Sequence, residues 1–72
     1  MSVPTNPATR VANELAMLNE NILKLREFIM TNDKFQSLGW QHQSLLHLQL
    51  SIMTQYATVL DMRLSLFQRG VQ

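Results

Sequence analysis

Between residues 11 and 29, Val11, Leu15, Leu18, Ile22, Leu25 and Ile29 recur at alternating steps of four and three. That spacing places one narrow apolar seam along an α-helix. Asn6-Pro7 stands just ahead of it, a capping side chain followed by a residue whose missing N–H costs nothing at the first helical position, so the helix is predicted over about 7–31. Glu20 and Lys24 on its outer face are spaced for an i,i+4 pair. Thr31-Asn32-Asp33-Lys34 favours turns, and residues 32–38 are read as a turn in which Phe35 and Leu38 plug the end of the structure. A second helix is predicted over about 39–69, with Gly70 as terminator and Trp40 packing at its start. The chain holds only two Gly and two Pro and offers no strand pattern. The predicted fold is all-α: an antiparallel two-helix hairpin forming one domain over 6–70, behind a flexible tail at 1–5.

The second helix is too apolar for one neighbour. From Leu45 to Phe67 its apolar residues cover an arc of roughly 240° at 100° per residue. Leu46, Met53, Leu60 and Phe67 form one column and Leu45, Ile52, Val59 and Leu66 a second; Leu48 and Met62 widen one side, Leu50 and Leu64 the other. His47, Ser51, Thr54, Thr58, Asp61 and Ser65 fall in a polar stripe that should face water. At 72 residues without cysteine, the chain has neither a large core nor a disulfide to hold it. Both facts predict self-association of the hairpins into a helical-bundle homo-oligomer. Met17, Met30, Met53 and Met62 are read as filling gaps in the core.

Charge and composition narrow the function. Six Lys and Arg against five Asp and Glu leave a net charge of +1, too little for a DNA or RNA polymer, which needs a clustered basic surface. No apolar run reaches the roughly 18 residues of a membrane span, and the start lacks the order of a signal peptide, so a cytoplasmic protein is expected. His42 and His47 have no third ligand in view, so no metal is expected, and neither is a cofactor. No Ser/His/Asp set, Gly-rich phosphate loop or close carboxylate pair occurs, and the chain is read as a non-enzyme.

Three polar residues interrupt the apolar arc: Gln49, Tyr56 and Arg63, each seven from the next and stacked in one column. As a buried network they would fix register between helices, as single polar residues do in coiled coils. As a ligand pocket they would supply a base-stacking ring, a phosphate-binding guanidinium and a side chain able to read base edges. Arg10, near the start of the first helix, would come within reach of Arg63 and Arg69 in an antiparallel pair. The three could grip an anion or pair with Glu14 and Asp61.

The run Arg10-Val11, Glu14, Leu18, Ile22, Lys24-Leu25, Phe28-Ile29, Phe35, Leu38, Gln43, Leu45-Leu46, Gln49, Met53, Tyr56, Leu60, Arg63 resembles a family of very small helical-hairpin proteins of tailed bacteriophages, crAss-like phages and prophages included. It departs at Gly39-Trp40-Gln41-His42, where such proteins usually carry acidic residues. The family is similar in architecture to the anti-CBASS and anti-Thoeris sponges, homo-oligomers that sequester cyclic nucleotides between subunits. The resemblance implies an anti-defence protein of the infected bacterial cytoplasm that binds a cyclic di- or trinucleotide or cyclic ADP-ribose through Tyr56, Arg63, Gln49 and Arg10. The competing reading is a scaffolding or inhibitory hairpin whose apolar arc docks on a host or phage protein.

Overall fold

The computed structural model describes residues 6–70, which contain three helices: α1 (Pro7–Thr31), α2 (Asp33–Ser37) and α3 (Trp40–Gln68). The described residues contain no strand. The tail expected over 1–5 lies outside them. Asn6 caps α1 by accepting the backbone N–H of Thr9 at 2.8 Å, with Pro7 in the first turn.

The segment predicted as a turn over 32–38 contains a helix instead, and Asn32 is the cause. Its backbone N–H donates to the Phe28 carbonyl at 3.2 Å and closes α1, while its side chain accepts from Lys34 N–H at 2.8 Å and opens α2. One residue thus ends one helix and starts the next. Phe35, carried by α2, is buried and meets Phe28 edge-on with ring centres 6.1 Å apart and His47 likewise at 5.6 Å. The phenyl ring closes the end of the helix pair, and His47, exposed to water as expected, makes an edge-on contact with it.

Gln43 fastens this corner. Its side-chain amide donates to the carbonyls of Leu38 at 2.9 Å, Phe35 at 3.0 Å and Gln36 at 3.4 Å, all at the end of the short α2, where the Phe35 carbonyl also accepts the Leu38 N–H at 3.1 Å. Gln43→Ala removes the side-chain donor from the Leu38 and Gln36 carbonyls, leaves Phe35 with the Leu38 N–H alone, and should cost about 1–2 kcal/mol. A drop of roughly 4–15 °C in the thermal midpoint, followed by helical circular dichroism at fixed protein concentration, is the expected reading.

α1 and α3 run side by side in opposite directions. Val11, Ile22 and Ile29 are buried on α1, and Leu15, Leu18 and Leu25 complete the seam half-buried. On α3 the residues turned inward are Gln43, Leu46, Leu50, Met53, Ala57, Leu60, Leu64 and Phe67, again at steps of three and four, with Leu60 fully buried. The molecule measures 47 × 27 × 17 Å. Its long axis is about the 44 Å length of a 29-residue helix, so the helices form one layer without a second layer to close a core. Past Arg69 the chain turns at Gly70, whose φ of 78° is the left-handed conformation that favours glycine after a helix.

Two sequence readings are corrected here. Trp40 does not pack at the start of the second helix; it is α3's first residue and is 72% exposed. Met17, Met30 and Met62 are likewise exposed rather than filling gaps, and only Met53 turns inward. In a single layer these positions lie beyond the reach of the one neighbouring helix.

Candidate functional site

The column Gln49, Tyr56, Arg63 lies on the flank of α3, between the seam that meets α1 and the opposite face. All three are exposed. The antiparallel packing brings the start of α1 to this flank. The Tyr56 hydroxyl donates to Oε2 of Glu14, and Pro7, Arg10, Val11, Glu14 and Arg63 line a cleft of about 250 Å³ between the helices. Arg10 and Arg63 thus share one cleft.

Among the described residues neither arginine forms an ion pair within 4.0 Å, and the ion pair present is Glu20 to Lys24 at 3.3 Å, on the outer face of α1. Glu14 faces the cleft, but its carboxylate is engaged by Tyr56. The outcome is two guanidinium groups, exposed at one rim, beside an aromatic ring held in place by a cross-helix hydrogen bond. Guanidinium forks match the oxygens of phosphate, and a fixed ring offers a face to a base.

The third arginine does not join them. Arg69 lies one and a half turns beyond Arg63 and lines a separate hollow with Asp61, Met62, Ser65 and Leu66. Gln49 stays on its own helix, its amide 3.8 Å from the Met53 sulfur, two turns from Tyr56. A larger hollow, about 450 Å³, opens on the other flank among Leu15, Asn19, Ile22, Leu23, Arg26, Thr54, Ala57, Thr58 and Asp61. There one arginine, Arg26, stands with one carboxylate, Asp61, whereas the first cleft sets two arginines with Glu14.

Sequence reasoning counted Glu14 as a charge that would neutralise arginine; here it anchors the tyrosine. The carboxylate that accepts its proton holds the Tyr56 hydroxyl above the ordinary value near 10, with partial loss of water and the Glu14 charge acting in the same direction and Arg63 opposing. Tyr56 is the single tyrosine, so its ionisation is readable directly by tyrosinate absorbance. Glu14→Gln should move that titration down toward 10. The sign for stability follows: a hydroxyl whose folded value is raised contributes below the unfolded value and loses that contribution as pH rises through the folded one.

Among the described residues no helix is long and apolar enough to cross a membrane, and no three His, Cys, Asp or Glu side chains cluster as metal ligands. No curated protein and no solved structure matches the chain significantly. Residues 5–66, which span α1, α2 and nearly all of α3 and so include the whole Arg10, Glu14, Tyr56, Arg63 group, match the Sequestin family, and the chain belongs to that family.

Proposed function

We propose that this protein is a phage-encoded sequestering protein of the infected bacterial cytoplasm, a homo-oligomer of helical hairpins that holds a cyclic nucleotide immune signal between subunits without turning it over. The family's name speaks of sequestration rather than catalysis. The observation that carries the reading is the pair Arg10 and Arg63, unpaired with any carboxylate within 4.0 Å among the described residues, at a cleft beside the anchored ring of Tyr56. In this reading the two arginines take phosphate and Tyr56 stacks on a base. Gln49, about 10 Å further along α3, reads base edges at the far end of the same ligand. Cyclic di- and trinucleotides and cyclic ADP-ribose isomers have the charge and length this asks for.

Native mass spectrometry of the protein alone and with a mixed panel of those compounds tests the proposal. The expected spectrum shows one defined oligomer retaining one member of the panel, released intact on denaturation. The thermal midpoint should then climb with that compound's concentration, by an amount equivalent to about 2.7 kcal/mol at a hundred times its Kd. An oligomer that retains nothing from the panel overturns the proposal and directs attention to a protein target for the apolar face of α3.

A further inference from the structure

Turned away from α1, α3 carries a second apolar seam. Leu45, Leu48, Ile52, Val59, Met62 and Leu66 follow one another with steps of three and four once Gln55 is counted at the centre, and each of the six is 42–61% exposed. A helix with two seams on nearly opposite faces is built for two neighbours, and one of the two is α1. The exposed side chains offer on the order of 600 Å² of apolar surface per copy, so that full burial of two seams would remove roughly 1,200 Å² from water, the lower end of specific interfaces.

The pattern also identifies what fits. Three apolar residues lie on each side of Gln55, so reversing the helix lays apolar on apolar along the whole seam, and Gln55 comes near the centre, where one polar residue fixes register. Arg63 and Arg69 lie toward one end of α3. A parallel pair would stack these cations on their own copies, whereas an antiparallel pair sends them to opposite ends and opposes the helix dipoles.

We propose that the outer seam of α3 binds the same seam of a second copy, antiparallel about a two-fold axis near Gln55, and that this pairing completes the nucleotide site. The two-fold axis runs across both helices, so each flank of α3 stays on its own side of the dimer. The Gln49, Tyr56, Arg63 flanks of both copies therefore line one groove, with Tyr56 of each copy close to the axis and an Arg10–Arg63 cleft toward either end. The flanks bearing Ser51, Thr54 and Thr58 form the opposite side. This rests on the sequestration reading for the identity of the ligand, and on the seam alone for the dimer.

Ile52→Asp places a charge in the seam at a position exposed within one chain, so the helix pair keeps its circular dichroism while the assembly loses its contact. Native mass spectrometry should give an even-numbered oligomer for the wild type and smaller species for I52D. I52D should also retain the panel of cyclic nucleotides at least tenfold more weakly, although Arg10, Tyr56 and Arg63 are untouched. Orientation is read by cysteine, which the chain lacks. Leu45→Cys and Leu66→Cys proteins, unfolded together and refolded, should cross-link with each other on oxidation and neither with itself, because positions 45 and 66 are about 31 Å apart on one helix. Self-cross-linking of L45C overturns the antiparallel pairing. A monomeric wild type overturns the interface, and if that monomer still binds a cyclic nucleotide the sequestration reading stands without it. I52D that binds as tightly as the wild type removes the shared site.

Discussion

Leu60→Ala is expected to abolish cooperative folding at 37 °C or to lower the thermal midpoint by more than 10 °C. Leu60 has no exposed surface and lies between Tyr56, which bonds to Glu14, and Arg63, which shares a cleft with Arg10, so it packs against the first half of α1. Truncating a buried leucine costs about 2–5 kcal/mol through lost transfer energy and the cavity left behind. A chain of this size rarely holds more than about 3–5 kcal/mol in its core. Here the core is one seam between two helices, so no second layer can collapse into the gap. Leu60→Met, which keeps the volume, should cost less than about 1.5 kcal/mol. Both variants are compared with the wild type by helical circular dichroism at one protein concentration, since the proposed self-association would make the midpoint concentration-dependent. A Leu60→Ala protein that melts within a few degrees of the wild type would place the core elsewhere than between α1 and α3.

That core was partly legible. On α1 the steps of three and four pick out the residues that meet α3, because a helix with a single apolar seam has one way to bury it. On α3 the same periodicity defines only an arc. Leu46, Met53, Leu60 and Phe67 turn inward, but the column beside them is Gln43, Leu50, Ala57 and Leu64, while Leu45, Ile52, Val59 and Leu66 turn out. Gln43 and Ala57 carry little hydrophobic signal, and the outward column carries more than the inward one beside it. Hydropathy alone therefore points the wrong way on that side of the helix. α2 escaped for a different reason. Five residues are too few to display a helical period; the Asn32 cap that opens them also suits a turn, and the donation from Gln43 to the carbonyls at their end comes from another helix.

The site shows the same division. That Arg10 and Arg63 would share a cleft followed from antiparallel packing of helices of known length. Which carboxylate would meet which partner did not follow, because side-chain reach within one turn leaves several pairings open. The bond from Tyr56 to Glu14 chooses among them, and among the described residues neither Arg10 nor Arg63 has a carboxylate within 4.0 Å. The spacing alone does not align the acid with the phenol: Glu14 is one turn from Arg10 and Tyr56 two turns from Arg63, so with the arginines level the two stand about one turn apart and side-chain reach closes the gap.

Arg63→Ala is expected to weaken retention of the cyclic nucleotide by about 10- to 150-fold while leaving the melting curve in place. A bidentate, charge-assisted contact to phosphate contributes about 1.5–3 kcal/mol, which converts at 1.4 kcal/mol per decade. Stability is spared because Arg63 is exposed and has no carboxylate within 4.0 Å among the described residues. Arg63→Lys separates charge from shape: an ammonium keeps the attraction but not the planar fork, so it should recover only part of the affinity. Tyr56→Phe keeps the ring and loses its anchor to Glu14. It should therefore cost less than Tyr56→Ala, which forfeits the roughly 1–3 kcal/mol of base stacking as well. Isothermal titration at two ionic strengths decides the matter. A phosphate contact makes binding weaker in high salt, and that dependence should be shallower in Arg63→Ala. Equal affinity and an equal salt slope for Arg63→Ala and the wild type would remove Arg63 from the site and leave the cleft to its hydrogen bond alone.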